Sequence, residues 1–439
     1  MKTVTWLAGA AMLTTGCNIG AKYTIGGTLT GLMGQGLVLQ DNSGNDLGLA
    51  SNGAFVFSDG IKNGDAYSVT VKTQPAGPSQ TCTVHNGSGT VDRADVTHVL
   101  VSCTEGGRFA YVANQLSNDL SAYSIDSATG ALTPIAGSPF AASGTAPAAL
   151  AMDPNGSFLY VVNNGSDNVS AYSIAAGGTL SAAGVPVSTG SAPDAVAVDP
   201  TDHYVYVANF AANSVSAYSI DEATGSLTEL PNSPFLVGAQ PTSLKFDPNG
   251  NFLYVTGFGG ANVTVLALDS ATGSLSAVSG SPFGAGAGAV SIAIDPSGAF
   301  AYVADVTAHT LSEYSINTST GALTALSGSP LATTSSPESV AVDPAGRYVY
   351  VANVTSANSV AAYAITPSTG ALSLSGSPIA AGTLPVSLAF DPSGRFAYAA
   401  NDNSNDVSAY AVDAASGVLG PVAHAPFAAG NEPRAIVID

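Results

Sequence analysis

Basic residues are scarce. Lys and Arg together number 10 in 439 residues, against 30 Asp and Glu, for a formal net charge of −20. So few cations cannot build the phosphate-binding surface that nucleic acids require, which excludes that class of partner. Charged residues of both signs make up only 9% of the chain while hydrophobics reach 46%, so the composition is that of packed cores rather than of a disordered tail. After the first residues no run of 18 apolar residues occurs, so no later segment reads as a membrane-spanning helix. Gly-x-Ser-x-Gly, His-Glu-x-x-His, P-loop and clustered-Cys patterns are missing. Cysteine is limited to Cys17, Cys82 and Cys103, and neither of the last two sits in a His-containing pattern typical of a thiol nucleophile.

What is present divides unevenly. Residues 105–439 hold 24 acids and 5 bases, whereas residues 1–104 hold 6 and 5. At the N-terminus, Lys2 precedes a short apolar run, 4–13, followed by Thr14, Thr15, Gly16 and Cys17. A basic start, a short apolar centre and small residues before a cut site describe an export signal. The Gly-Cys junction resembles a bacterial lipoprotein signal, with Thr14 where that family usually has Leu. The resemblance implies a signal over 1–17 and lipidation of Cys17; the alternative is an ordinary secretory signal cut nearby. The expected location is the bacterial cell envelope, with the membrane reached only through an N-terminal lipid, or else the periplasm or the exterior.

Residues 20–104 read as short strands (23–32, 36–40, 54–57, 67–72, 81–85 and 96–102) broken by Gly, Asn and Asp. "YSVTVKTQ" alternates as a half-buried strand should, and "DNSGND" and "HNGSG" supply turns. This spacing predicts a small immunoglobulin-like or prealbumin-like β-sandwich, similar to modules found before bacterial surface domains. Cys82 and Cys103 close a loop within it and are expected to form a disulfide in an exported chain; two separate buried thiols are the alternative.

From residue 105 a repeat decides the fold. "FAYVAN" at Phe109 recurs as "FLYVVN" at Phe158, "YVYVAN" at Tyr204, "FLYVTG" at Phe252, "FAYVAD" at Phe300, "YVYVAN" at Tyr348 and "FAYAAN" at Phe396. The period is about 48 residues, in the range of propeller blades. Each unit carries four strand signals: an apolar segment ending in Asp-Pro, the aromatic strand, a "VSAYSID"-like strand and a short "GALT" strand. The domain opens on an aromatic strand and ends on "RAIVID". The last strand is therefore expected to be the innermost strand of the first blade, closing the ring and removing two sheet edges.

The repeated "YVAN…VSAYSID…TGALT…GSPF" pattern resembles the lactonase-type (YVTN-repeat) seven-bladed propellers over 105–439. The resemblance implies an all-β chain, a seven-bladed propeller after an N-terminal sandwich. Members of that family include hydrolases of 6-phosphogluconolactone, enzymes that cyclise a carboxymuconate, and surface proteins without assigned chemistry. A fold does not fix a function.

Most repeated residues have a packing role. Tyr123, Tyr172, Tyr218, Tyr314, Tyr363 and Tyr410 share one position across blades, and the Asp of each Asp-Pro turn can accept backbone N–H bonds. The informative residues are those that depart from the repeat. Five residues before each turn Asp stand Ala148, Asp194, Thr242, Val290, Glu338, Val386 and Arg434. Two residues before it, Lys245 stands alone among Ala and Val. His309 replaces the Asn or Asp of Asn118, Asp167, Asn213, Asn358 and Asn405.

Asp194, Glu338 or His309 would activate water in a polar cup at the channel mouth, with Lys245 or Arg434 stabilising an oxyanion. The other reading is a solvated rim with one structural ion pair. No cofactor is called for; a calcium ion in the channel has oxygen donors available but no ligand spacing that demands it. The first functional expectation is an exported scaffold binding a ligand or protein at the channel mouth; the alternative is a lactone hydrolase. Five bases in the domain suit phosphate recognition poorly, so a neutral lactone fits better than 6-phosphogluconolactone.

Overall fold

The computed structural model describes residues 21–32, 35–73, 75, 80–105, 108–333, 335–355 and 357–439. The signal segment and Cys17 lie outside them. The described residues form strands and turns with no helix, and the chain divides into two compact units, with the boundary at 104/105.

The N-terminal unit holds two four-stranded sheets and a two-stranded ribbon. In one sheet Ile25–Thr30 lies between Gly53–Val56, antiparallel, and Val96–Glu105, parallel. In the other, Leu37–Asp41 pairs antiparallel with both Asn45–Leu49 and Ala66–Thr73. Alternation drives the packing: in Ala66–Thr73, Tyr67 and Val69 point inward while Ser68 and Thr70 face water. Side chains of both sheets meet in one apolar cluster around Ile25, Leu37, Leu39, Phe55, Phe57 and Val99. Cys82 and Cys103 form the expected disulfide beside it.

The C-terminal unit is a seven-bladed propeller built from seven antiparallel sheets. The innermost strands are Pro147–Met152, Pro193–Val198, Pro241–Phe246, Ala289–Ile294, Ser336–Val342, Pro385–Phe390 and Pro433–Ile438. Each contacts the next, and Pro433–Ile438 contacts both Pro385–Phe390 and Pro147–Met152, so the ring is closed. Pro433–Ile438 pairs antiparallel with Arg108–Asn114, Val437 facing Tyr111. The C-terminal strand thus completes blade 1, as the order of the repeats predicts, and Pro147–Met152 opens blade 2.

The aromatic strands are buried on both faces because each blade is covered by two neighbours. Phe109, Tyr111 and Ala113 pack on Leu159 and Val161 of blade 2. Ala110 and Val112, pointing the other way, pack on Tyr398 and Ala400 of blade 7. A continuous apolar run instead of an in-out alternation follows from this double coverage.

Polar atoms then tie the blades together. The hydroxyl of fully buried Tyr111 donates to Gly178 O at 2.9 Å, Tyr302 to Gly370 O at 2.8 Å and Tyr398 to Gly130 O at 2.9 Å, across successive blades. Each such bond contributes about 1 kcal/mol net, and stranding its buried partner costs about 1–3 kcal/mol. These turn glycines are obligatory: Gly370 has φ +75°, and a Cβ there would lie 2.2 Å from the Phe300 ring.

One difference from the expected four strands concerns the blade edge. The outer strand is broken into two short pieces, such as Leu132–Pro134 and Phe140–Ala141, both pairing with Asp119–Ile125. The "GSPF" motif explains the break. Ser138 Oγ accepts the Ala122 N–H at 2.9 Å, satisfying a strand donor in the gap between the two pieces, and Ser233, Ser281 and Ser329 repeat the contact.

Candidate functional site at the channel mouth

The innermost strands start at one end of the channel and finish in the Asp-Pro turns at the other. Around their starting ends lies a cavity of about 250 Å³, lined by Ala148, Asp194, Thr242, Val290, Glu338, Val386 and Arg434. These residues come from the same position of seven successive blades, so the repeat itself delivers their side chains to the axis. Ser243, Ser291, Ser339 and Ser387 also border the cavity. Their hydroxyls accept N–H bonds from the next innermost strand at 3.2–3.4 Å, which locks neighbouring strands around the ring.

The three charged residues at this position share the cavity. Arg434, half-buried, donates from Nη1 to Asp402 Oδ2 at 3.0 Å, and Asp402 is itself buried. Asp402 is a candidate-site residue that the sequence alone did not single out. Its signal was visible: the residues following the aromatic strands are Gln115, Asn164, Phe210, Phe258, Val306, Val354 and Asp402, and only the last is an acid.

Asp194 and Glu338 make no hydrogen bond or ion pair among the described residues. Burial pushes the Asp194 carboxyl up from its ordinary pKa, against a smaller opposing pull from Arg434. Burial likewise raises Glu338; Arg434 again opposes, while the charges of Asp194 and Asp402 push it further up. The mouth therefore holds two carboxyls of raised proton affinity and one anchored guanidinium. At the position of Asp402 in blades 3 and 4, Phe210 and Phe258 sit with ring centroids 6.5 Å apart.

The structure does not bring all five predicted site residues together. Lys245 belongs to a separate cavity of about 390 Å³ at the Asp-Pro end of the channel, beside Pro200 and Pro248. The reason is spacing: Lys245 stands three residues further along its strand than the mouth position, about 10 Å at the usual rise. His309 is exposed and lies outside the lining of the mouth. It occupies a left-handed turn position, φ 57°. In other blades the Asn or Asp there accepts a backbone N–H of the next blade, as Asn118 Oδ1 does from Ala146 at 2.7 Å and Asn213 Oδ1 from Gln240 at 2.8 Å. His309 makes the corresponding tie through Nδ1 to Ser336 Oγ at 3.0 Å. Its departure from the repeat is a substitution within an inter-blade fastening. Among the described residues no group of three or more His, Cys, Asp or Glu is arranged to hold a metal ion.

The geometry is that of a propeller with one polar axial pocket, and the sequence comparisons agree on the class. The family model described as "Lactonase, 7-bladed beta-propeller" matches residues 67–246 and 236–437; the chain belongs to this family. No curated protein matches the sequence at a significant level. Among solved structures, a candidate 6-phosphogluconolactonase of Bacteroides uniformis is similar at 19% identity and TM-score 0.68, covering 76% of this chain and 100% of its own. A protein of Lactobacillus plantarum is similar at 23% identity and TM-score 0.66, over 76% and 99%. The periplasmic gluconolactonase of Pseudomonas aeruginosa is similar at 21% identity and TM-score 0.64, over 75% and 98%. At these identities the likeness is one of fold.

Proposed function

We propose that the protein hydrolyses a small, uncharged, hydroxylated lactone at the channel mouth. The observation that carries this reading is the meeting of Asp194, Glu338 and Arg434 in one cavity. A base must hold its proton long enough to pass it on, and a carboxyl of raised pKa suits that task better than an ordinary one. Glu338 takes a proton from water as the oxygen attacks the lactone carbonyl, and Arg434, fixed by Asp402, donates to the developing oxyanion. The ring C–O bond breaks, and the proton held by Glu338 passes to the departing alkoxide, leaving a hydroxy acid. Asp194 positions substrate hydroxyls, and the Phe210–Phe258 pair meets the C–H face of the ring. Membership of the lactonase family and the names of the B. uniformis and P. aeruginosa neighbours support the reaction class. One guanidinium facing two carboxyls suits a phosphorylated lactone poorly, so the neutral substrate is preferred.

A pH-stat panel of neutral five- and six-membered sugar lactones, run beside a phosphorylated lactone, tests this. Saturable turnover of a neutral lactone is expected. Saturable binding without turnover would make the cavity the ligand-binding face of a non-catalytic scaffold instead.

We also read the chain as exported and anchored through a lipid on Cys17. The disulfide and the periplasmic neighbour support export, and the lipoprotein-like junction supports the anchor. The N-terminal unit is then an immunoglobulin-like or prealbumin-like sandwich, a reading supported by its two four-stranded sheets with a shared core.

A further inference from the structure

The cavity at the Asp-Pro end of the channel differs in kind from the mouth. Its walls combine polar atoms with the side chains of residues such as Met152, Val198, Phe246 and Ile294, and at about 390 Å³ it is large enough for a small organic molecule. Into this cavity one cation projects. The other six blades place Ala or Val at the position of Lys245. The Lys245 side chain is exposed to channel water, and desolvation by the surrounding protein lowers its pKa. Among the described residues it has no ion pair and no hydrogen bond. Asp247, the acid that lines the cavity, turns back into its own loop, where Oδ1 accepts from Phe252 N at 2.6 Å and Oδ2 from Asn249 N at 3.2 Å.

We infer that this chamber is a second binding site, for a monocarboxylate with an apolar body, whose carboxylate meets Lys245 and whose hydrocarbon lies against the aliphatic residues of blades 2 to 5. The argument is one of complementarity. The Lys245 ammonium has no protein anion paired with it and gains from one, and an anion carrying a hydrocarbon also removes the apolar part of the walls from water. An inorganic anion would supply the first gain only, and a neutral alcohol the second only. Leu150, Val196 and Leu244 border both this chamber and the mouth. They form an apolar waist between the two, so the site is separate from the proposed lactone site.

Isothermal titration of the full chain with octanoate, with octanol as the neutral control and with chloride and acetate as small-anion controls, tests the proposal. Octanoate is expected to bind with one site per chain, at least tenfold more tightly than octanol or acetate. Lys245→Met should lower octanoate affinity at least tenfold while leaving octanol binding unchanged, and Glu338→Gln at the mouth should leave both unchanged. Should Lys245→Met fold poorly, reductive 13C-methylation of the wild type replaces it: the Lys245 dimethylamine resonance should shift on adding octanoate. Octanoate binding no tighter than octanol, equal binding by a folded Lys245→Met protein, or an unmoved Lys245 resonance would overturn the inference. Loss of octanoate binding in Glu338→Gln would place the site at the mouth and overturn it as well.

Discussion

Ring closure rests on one strand, and a buried ion pair spans the seam beside it. Arg108, at the start of the first aromatic strand and 7% exposed, donates from Nη1 to Oδ2 of Asp391 in blade 7, whose side chain is fully buried. The same guanidinium opposes the burial-driven rise of the Asp439 carboxyl at the end of Pro433–Ile438. Arg108→Ala would leave the Asp391 carboxylate buried with, among the described residues, only the Phe396 N–H and the Ser393 hydroxyl to satisfy it. Breaking a buried pair from one side costs about 3–5 kcal/mol. For a unit of more than 300 residues, with an unfolding entropy of about 2 cal/mol/K per residue, that corresponds to a melting shift of roughly 4–7 °C. Thermal and urea unfolding at neutral pH measure it. Adding Asp391→Asn removes the stranded charge and should recover at least about 1 kcal/mol, a coupling that a double-mutant cycle isolates. The exposed Lys72–Asp46 pair, about half exposed on each side, supplies the control: Lys72→Ala should cost less than about 1 kcal/mol. If Arg108→Ala melted within 1 °C of wild type, or if the two seam substitutions were additive, the seam would not depend on this pair.

Two further outcomes are expected. The Asp153 carboxyl is pushed up to about 6, first by burial and further by the charge of Asp202; its Oδ1 accepts from Ser157 and Phe158, but its Oδ2 is buried without a partner among the described residues. A folded pKa above the ordinary 3.8 means that the native state holds a proton the unfolded chain has lost, so stability is lost as pH rises from about 4 through 6, by about 3 kcal/mol at pH 8. Asp153→Asn should thus be more stable than wild type at pH 8 with the gap closing by pH 4; a gap independent of pH would refute the cause. Cys17→Ser should release the protein from membranes in cell fractionation, because an acyl chain supplies the anchoring free energy; a mutant that still sediments with membranes would exclude lipidation there.

The fold was legible because a 48-residue period repeats both the apolar strands and the turn residues, and because the order of pieces at the two ends leaves one way to close the ring. The broken outer strand was harder to see: Ser138 and its equivalents resemble ordinary turn residues until their hydroxyls are found accepting from the neighbouring strand. The same register that revealed Asp194, Glu338 and Arg434 also separates them from Lys245, since three residues along an innermost strand carry a side chain from one chamber to the next. His309 looked like chemistry because it broke a pattern, yet it keeps the pattern's task with a different atom. Glu313, which also departs from its repeat, is buried and accepts the Leu372 N–H at 3.0 Å. A departure from a repeat therefore marks a candidate; only its depth along the channel decides between a site and a fastening.

The central claim is that the mouth carboxyls act on a lactone. It is tested most directly by kcat/KM of wild type, Glu338→Gln and Asp194→Asn on a neutral lactone, with unfolding measured on the same samples. The account predicts turnover in the wild type and a loss of about 10²–10⁴-fold in Glu338→Gln, with melting unchanged or raised, because the substitution removes a buried charge while keeping the shape. Asp194→Asn should mainly raise KM. Full turnover in both folded variants, or no turnover of any neutral lactone by the wild type, would contradict it.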